Sequence, residues 1–437
     1  MTNPRLIAHQ LLLRVIESDS YINLLLPSLI RKEQVSDVDR GLVQELSYGA
    51  LRWQLQYDKF IDEITNGKQL SPKVRVALRL GLHQLFRMRV PAHAAINESV
   101  ELVKKIEPKA AGLANAVLRQ AQRKGLDQLL LEVTQGVETQ EKLALVHSHP
   151  IWIVHALQSA LELDGRAQQL EELLQANNAT PVVNLAALSP AAENRLKEAG
   201  LAPGEASPIG YLLNGNPERY LASDVRVQDQ GSQLVALTLM ELAGTSADVL
   251  DMCSGPGGKS AVLQSRLGSG TLTCMEPNAT RAKLVADALG PSSKAQIVVA
   301  PGQEAKPESY DAVLLDAPCS GLGSLRRKPE SRWRKTPEQL GGLQRTQAEL
   351  LDAAIDSLRP GGVVLYSTCS PVTTETNGQI SAALERHKDV ELIDVGEVLV
   401  KINPELDVNR NRKTVQLWTQ VHGTDSMFMA ALRKKLG

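Results

Sequence analysis

Between residue 5 and about residue 126, apolar positions recur at the spacing of one face of an α-helix. The pattern is clearest in the stretches RLIAHQLLLRVI, RGLVQELSYGALRWQLQYDKFI, VRVALRLGLHQLFRMRV, AHAAINESVELVKKI and AAGLANAVLRQAQRK. Ala and Gly at the start of the last stretch permit close approach between helices. We therefore predict an all-α helical bundle as a first domain, residues 1–130.

A different pattern begins near residue 221, where short apolar runs alternate with helical stretches. The apolar runs are ADVLDM, GTLTCME, AQIVVA, DAVLLDA and GGVVLYST. Continuous apolar strands joined by helical crossovers are typical of a parallel, doubly wound sheet, which binds its ligand at the carboxyl ends of the strands. We predict an α/β, Rossmann-like domain over residues 221–437.

The segment between these two domains carries a weaker signal. Residues 131–220 contain two helical runs, one short strand, PVVNLAAL, and a stretch rich in Gly, Pro and Ala, AGLAPGEASPIG. We interpret this segment as a small α+β connecting subdomain. A multidomain chain is also what a length of 437 residues predicts.

The composition narrows the class of protein. A hydrophobic fraction of 43% and a charged fraction of 22% are typical of a folded, soluble protein. No apolar run reaches the roughly 18 residues of a spanning helix, and the first residues lack the features of a signal peptide. The four cysteines form no C-x-x-C pair, and the eight histidines show no H-x-x-x-H pattern. We expect a cytoplasmic monomer without membrane, disulfide or metal site.

Two basic stretches stand out in a chain whose net charge is only -1. Residues 64–126 hold twelve Lys and Arg against three Glu, and residues 321–335 hold six basic residues and one acid. Such stretches favour a polyanionic partner, but ordinary solvated faces have the same composition. If the partner is RNA, we expect residues 326–335 to contact phosphates and Trp333 to stack on a base.

The first strand of the α/β domain ends in a glycine-rich loop, LDMCSGPGGKS. Its glycines allow the backbone to approach a ligand at a helix N-terminus: Gly255, Gly257 and Gly258. The loop is not a Walker motif, because Cys253 stands where glycine is required, and Ser260 breaks the G-x-G-x-x-G pattern. Glu276 ends the next strand, where an acid binds ribose hydroxyls. S-adenosylmethionine fits this site better than NAD, although a turn that serves only packing is the alternative.

Two cysteines follow strands of the predicted sheet directly. Cys319 lies in DAVLLDAPCSG and Cys369 lies in GGVVLYSTCSP. The carboxyl ends of parallel strands share one edge of a sheet, so both thiols are expected beside the ligand. A single free cysteine is commonly a small buried hydrophobe, which remains the alternative for each of them taken alone.

The motifs DMCSGPGGKS, LLDAPCSGLG and LYSTCSP, in this order, resemble those of the RNA cytosine-5 methyltransferases, and VQDQGSQL resembles the lead-in motif of that family. The N-terminal stretches DRGLVQELSYGALRW and GLANAVLRQAQR resemble the helical domain of the antitermination factor NusB. The combination implies a NusB-like RNA-binding domain joined to a methyltransferase domain. It also implies S-adenosylmethionine as cofactor and carbon 5 of a cytosine in 16S ribosomal RNA as the target.

The resemblance implies a role for each matching residue. Cys369 corresponds to the nucleophile that adds to carbon 6, Cys319 to a second cysteine tied to product release, and Asp316 to a cofactor contact. Because Asp316 ends a strand beside the thiols, we also expect its carboxyl group to hydrogen-bond or protonate nitrogen 3 of the cytosine. The residues that correspond to cofactor contacts are Cys253, Ser254, Gly255, Pro256, Gly257, Gly258, Lys259, Glu276 and Asp316.

Two alternatives stay open on the sequence. One is a transfer-RNA cytosine-5 methyltransferase, because the sequence does not name the nucleotide. The other is a non-catalytic RNA-binding or antitermination protein that keeps a methyltransferase fold as a scaffold. The intact motifs around Cys319 and Cys369 argue against the second alternative.

Overall fold

The computed structural model describes residues 3–17 and 20–436, without the side chains of residues 37 and 38. The chain divides into two compact units. We call Met1–His155 together with Leu325–Arg334 the helical unit, and Ala156–Ser324 together with Lys335–Gly437 the sheet unit.

Helices make up most of the first half of the chain and alternate with strands in the second half. In chain order the α-helices are α1 (Pro4–Glu17), α2 (Ile22–Lys32), α3 (Asp37–Arg52), α4 (Gln54–Ile64), α5 (Pro72–Arg87), α6 (Ala92–Ile106), α7 (Ala111–Thr134), α8 (Thr139–Val146), α9 (Ile151–Leu163), α10 (Leu170–Ala176), α11 (Pro190–Glu198), α12 (Gln230–Ala243), α13 (Gly258–Arg266), α14 (Ala279–Leu289), α15 (Ser331–Arg334), α16 (Pro337–Asp356), α17 (Asn377–Arg386), α18 (Val395–Ile402) and α19 (Thr419–His422).

The strands belong to the sheet unit. They are β1 (Val183–Ala187), β2 (Ala202–Pro203), β3 (Gly210–Leu213), β4 (Val225–Val227), β5 (Val249–Asp251), β6 (Leu272–Met275), β7 (Gln296–Val298), β8 (Tyr310–Asp316), β9 (Leu358–Thr368), β10 (Val390–Ile393), β11 (Val415–Gln416) and β12 (Phe428–Lys434).

The helical unit is the predicted bundle. The apolar stripes of α1, α3 and α5 meet in one core, to which Leu11, Leu46 and Leu78 contribute fully buried side chains. Helix α5 begins where the sequence provides a cap, because the Ser71 hydroxyl accepts a hydrogen bond from the backbone N–H of Val74. The prediction of an all-α N-terminal domain is confirmed.

The sheet unit contains two sheets. A small antiparallel sheet has the order β2-β3-β1-β4, and a large sheet has the order β10-β12-β9-β8-β5-β6-β7, with β11 paired to β12. Strands β5 to β9 of the large sheet are parallel, as predicted. Strand β12 runs antiparallel to β9 and was not predicted, because its sequence FMAALRK lacks the β-branched residues that mark a strand.

The parallel strands are covered on both faces. Val313 and Val364 point toward the core that contains Leu350 of α16, whereas Leu314 and Leu365 point toward the core that contains Val262 of α13. Burial on both faces explains why these strands read as continuous apolar runs. Polar side chains of these strands are therefore concentrated at the strand ends, where the candidate site lies.

In the part of the chain that is described, residues 3–17 and 20–436, we find no helix with the length and apolarity of a membrane span.

Candidate active site at the carboxyl edge of the sheet

Strand pairing brings the two motif cysteines together. Strands β8 and β9 are parallel neighbours, and their register sets Asp316 opposite Ser367. Cys319 lies three residues beyond Asp316, and Cys369 lies two residues beyond Ser367. The two Sγ atoms are 3.4 Å apart, so one thiol can hydrogen-bond the other. Both thiols therefore lie at the same edge of the sheet, and their place beside a ligand stays a prediction.

The two thiols are not electrostatically equivalent. The hydrogen bond to Cys369 raises the pKa of Cys319 well above its ordinary value, and burial and the charge of Glu375 act in the same direction. The raised pKa favours the neutral Cys319 thiol, and either sulfur can be the donor in the contact between the two. A sulfur that receives such a hydrogen bond is favoured in its thiolate form.

Asp316 is held between a cation and a hydroxyl. Its Oδ2 accepts a hydrogen bond of 2.7 Å from Lys259 Nζ, and its Oδ1 accepts one of 3.0 Å from the Ser367 hydroxyl. Burial by itself lowers the pKa of Lys259, but the charge and hydrogen bond of Asp316 outweigh burial and the net shift is upward. The sequence assigned Lys259 to the cofactor alone, whereas in the structure its ammonium group contacts the Asp316 carboxylate.

The glycine-rich loop forms a cradle that larger residues would fill. Gly257 has a φ of +98°, and a Cβ there would lie 2.5 Å from the Cβ of Ala288. A Cβ on Gly255 would overlap the carboxylate of Glu276, whose Oε2 accepts a hydrogen bond of 3.2 Å from the Gly255 N–H. Glu276 is buried, and its Oε1 accepts from the N–H of Asn278 at 3.1 Å. The loop and its acid fit a nucleoside cofactor with free ribose hydroxyls.

Asp251, at the end of β5, is a buried acid behind this loop. Its Oδ2 accepts a hydrogen bond of 2.6 Å from the Ser260 hydroxyl, whereas its Oδ1 finds no partner among the described residues. Burial raises the pKa of Asp251 to about 7, despite the opposing effect of the Ser260 hydrogen bond. Asp251 therefore has a folded-state pKa close to physiological pH.

Sequence reasoning missed a second layer of polar residues beneath the thiols. Ser320 and Ser370 each follow one of the cysteines, and both hydroxyls donate hydrogen bonds of 2.6 Å to the buried carboxylate of Glu375. Gln347 of α16 also donates to this carboxylate, at 3.1 Å. The repeated Cys-Ser dipeptide in APCSG and TCSP was the one signal in the sequence that pointed to this layer.

Known proteins share both the domain architecture and the motifs of this chain. Residues 2–123 match the model of the NusB family, and residues 238–433 match that of the 16S rRNA methyltransferase RsmB/F. The chain is 38% identical to a putative methyltransferase from Mycobacterium tuberculosis, over 98% of this chain and 95% of that protein. It is 30% identical to the probable ribosomal RNA small subunit methyltransferase B of Bacillus subtilis, over 99% of both. The chain belongs to the ribosomal RNA small subunit methyltransferase B family.

A solved structure shares the complete fold. The crystal structure of PH0851 covers 99% of this chain and 99% of its own, with a TM-score of 0.79 and 20% sequence identity. As a member of this family, the chain is an RNA methyltransferase with S-adenosylmethionine as its cofactor. No group of three or more His, Cys, Asp or Glu side chains that could hold a metal ion occurs among the residues that the structure describes.

The basic stretch after the Cys319 motif, residues 326–335, does not have the structure that we predicted for it. Residues Leu325–Arg334 belong to the helical unit, where Trp333 packs against the core and donates from Nε1 to the Leu51 carbonyl at 2.7 Å. Arg332 is fully buried and donates to the carbonyls of Arg52 and Ser148 at 3.2 and 3.0 Å. The prediction that this stretch is an RNA-stacking surface around Trp333 is wrong, because apolar packing and buried carbonyls occupy these side chains.

The charge excess of residues 64–126 is smaller in the folded helical unit than in the sequence. Arg79 forms a bidentate pair with Asp58 of α4, at 2.8 and 2.7 Å, and Arg75 pairs with Asp62 at 2.7 Å. Both aspartates lie just before the counted window. The exposed basic residues that remain are Lys68, Lys73, Arg87, Arg89, Lys104, Lys105, Lys109, Arg119 and Arg123.

We predict that Gly257→Ala lowers the affinity for S-adenosylmethionine and destabilises the sheet unit by about 1–3 kcal/mol, because it combines a positive φ with a clash against Ala288. Gly258→Ala is the matched control for the loss of stability, since a Cβ there meets only Gln228, at 3.7 Å. Calorimetric titration and thermal unfolding measure both effects. Equal behaviour of the two variants would contradict the role assigned to Gly257.

We predict that Asp251 makes stability fall as the pH rises. Its folded-state pKa of about 7 lies above the unfolded value of about 3.9, so its contribution is fully present below pH ~4 and is lost as the pH rises through about 7. Asp251→Asn removes this titration, and the variant should show a flatter dependence of thermal unfolding midpoint on pH between 4 and 8. Parallel pH profiles for both proteins would rule out the raised pKa.

Proposed function

We propose that the chain transfers a methyl group from S-adenosylmethionine to carbon 5 of a cytosine in 16S ribosomal RNA, through a covalent bond between Cys369 and carbon 6. The observation that carries this proposal is the Cys319–Cys369 pair, with sulfurs 3.4 Å apart beside Asp316 at the carboxyl edge of the sheet. The cofactor supplies the methyl group, and we propose that residues 253–259 and Glu276 hold it.

A covalent step is needed because carbon 5 of cytosine is a weak nucleophile. Addition of the Cys369 thiolate to carbon 6 makes carbon 5 enamine-like, so that one difficult step becomes two easier ones. When Cys369 is the thiolate, the Cys319 thiol can donate across the 3.4 Å contact and stabilise it before the addition.

Asp316 and Lys259 are suited to the charge that this addition creates. Negative charge develops over the ring toward nitrogen 3, where a proton or a hydrogen-bond donor stabilises it. In the Lys259–Asp316 pair, with a separation of 2.7 Å, the ammonium group is the donor, and a proton passed from it to the Asp316 carboxylate can be given on to nitrogen 3. We assign the pair to the base ring, with Lys259 shared between base and cofactor loop.

Cys319 changes its role once the covalent bond exists. Its pKa is raised first of all by the hydrogen bond to Cys369, then by burial and by the Cys369 charge. Formation of a neutral thioether at Cys369 removes the charge and weakens the hydrogen bond, so the pKa of Cys319 falls and its proton can leave to water. The resulting thiolate takes the proton from carbon 5, the carbon 6–sulfur bond breaks, and the electron pair returns to Cys369 as a thiolate.

Ribosomal RNA is the substrate class that the domain combination favours. The relative from Bacillus subtilis is described as a probable ribosomal RNA small subunit methyltransferase B, and the helical unit exposes basic residues such as Arg119 and Arg123 on α7. Phosphate contacts of this kind position an RNA without reading its sequence. Such a substrate also implies that the reaction takes place in the cytoplasm, and we keep the monomer as the working state.

Bisulfite sequencing of total RNA, from cells with and without the gene, tests the target. We expect one cytosine of 16S ribosomal RNA to lose its protection in the deletion strain and to regain it with the wild-type gene, but not with Cys369→Ala. Loss of protection in a transfer RNA instead would favour the transfer-RNA alternative. Unchanged protection everywhere would favour the non-catalytic scaffold.

The two cysteines should fail in different ways when they are replaced. We predict that Cys369→Ala binds S-adenosylmethionine but forms no covalent RNA complex, because it lacks the attacking sulfur. Cys319→Ala should form the complex and then stall, because the proton on carbon 5 is not removed. Denaturing electrophoresis with labelled RNA, with and without S-adenosylmethionine, detects the stalled adduct.

The double variant is the control, since it should lose the adduct that Cys319→Ala accumulates. An adduct in Cys369→Ala and none in Cys319→Ala would exchange the two roles and make the cysteine of the APCSG motif the nucleophile.

A further inference from the structure

A single buried carboxylate lies between the two cysteine loops. Glu375 is fully buried at the end of a short 3₁₀ turn, Thr373–Glu375. Its Oε2 accepts from the hydroxyls of Ser320 and Ser370, each at 2.6 Å. Its Oε1 accepts from the backbone N–H of Ser320 at 2.8 Å and from Gln347 Nε2 at 3.1 Å. Each of these partners donates, which matches a group that only accepts.

The partners of Glu375 connect it to both thiols through one peptide unit each. Ser320 follows Cys319, Ser370 follows Cys369, and the two hydroxyl oxygens are 3.0 Å apart. Two further bonds fix the frame: the Tyr366 hydroxyl donates to the Glu375 carbonyl at 2.8 Å, and Gln347 also donates to the Pro318 carbonyl at 2.8 Å. The carboxylate therefore joins β8, β9 and α16 directly beneath the thiols.

Burial of the Glu375 carboxylate costs free energy of folding unless hydrogen bonds compensate for the lost hydration. A buried carboxylate loses its hydration, and apolar side chains of similar volume commonly fill such positions at no loss of stability. Four hydrogen bonds to two oxygens offset this cost and fix the geometry of every group that donates them. Three of the four donors belong to the two loops whose relative position sets the distance between the sulfurs, and the fourth, Gln347, belongs to α16.

We propose that Glu375 is a positioning residue that holds Cys319 and Cys369 in register, at the separation at which one sulfur attacks and the other serves the same base. Glu375 does not touch the base in this scheme and acts only through Ser320 and Ser370. The consequence for turnover rests on the proposed two-thiol reaction, whereas the consequence for the sulfur–sulfur distance does not.

The distance can be probed with dibromobimane, a bifunctional thiol reagent that becomes fluorescent only after both arms have reacted. Mass spectrometry of digested protein then identifies Cys319 and Cys369 as the bridged pair. We expect rapid bridging in the full-length wild-type chain and severalfold slower bridging in Glu375→Ala. Methyl transfer should fall by about 10²-fold in kcat, the loss typical of a reacting group displaced by about 1 Å, with unchanged affinity for S-adenosylmethionine.

Further variants separate positioning from folding. Glu375→Gln keeps the shape but replaces one acceptor by a donor, so we expect an effect in the same direction and smaller. Ser320→Ala/Ser370→Ala removes the hydroxyl links and should slow bridging as Glu375→Ala does. Asp311→Asn is the matched control, because Asp311 accepts from the Asp248 N–H at 2.8 Å at the other end of β8, away from the thiols. It should change thermal stability without changing bridging.

The outcomes separate this inference from the proposed function. Unchanged bridging in folded Glu375→Gln and in the double serine variant would overturn the positioning role, even if wild-type methyl transfer is found. Slower bridging in these variants, with Asp311→Asn like wild type, would support it even if no cytosine were methylated. If Glu375→Ala does not fold, bridging in Glu375→Gln and in the double serine variant decides whether Glu375 positions the thiols.

Discussion

The chemistry of this protein depends on the register between two parallel strands. A slip of one residue between β8 and β9 would displace their ends by about 3.3 Å, a shift nearly as large as the 3.4 Å separation of the two sulfurs. The same slip would also turn the side chains of one strand to the opposite face. Burial of Val313 and Val364 on one face, and of Leu314 and Leu365 on the other, makes that slip unfavourable. The hydrophobic cores thereby set the distance between two reactive groups that lie outside them.

The site gathers acidic groups, and each is stabilised in a different way. Backbone N–H groups donate hydrogen bonds to the Glu276 carboxylate, and the Lys259 ammonium group pairs with Asp316. Hydroxyl and amide groups donate to the Glu375 carboxylate. Asp251, with one hydrogen bond, has a pKa raised by burial instead. Their combined negative charge suits a cationic sulfonium cofactor. The pKa of the Cys319 thiol is raised mainly by its hydrogen bond to Cys369 and by burial, and the charge of Glu375 adds to this shift.

Sequence patterns predicted those parts of the fold that depend on local order. The parallel strands, the glycine-rich loop and both cysteines follow from apolar runs and from what comes directly after them. The charge count along the chain gave a wrong prediction for the stretch around Trp333, because it treats every arginine as exposed. Arg332 is buried against backbone carbonyls, and burial lowers its pKa to about 9. The sequence did not predict a role for Glu375, because that role depends on contacts with Ser320, which lies 55 residues away in sequence.

Loops that carry chemistry are usually the mobile part of an enzyme, yet the proposed two-thiol reaction needs a rigid frame. The backbone provides a second brace besides Glu375. The N–H of Gly323 donates to the Cys369 carbonyl at 2.9 Å, and the N–H of Ser426 donates to the Gly323 carbonyl at 2.8 Å. A side chain at Gly323 would overlap the carbonyl of Ser426, so this contact requires glycine. Ser426 leads directly into β12, so the antiparallel strand absent from the sequence prediction braces the site as well as the edge of the sheet.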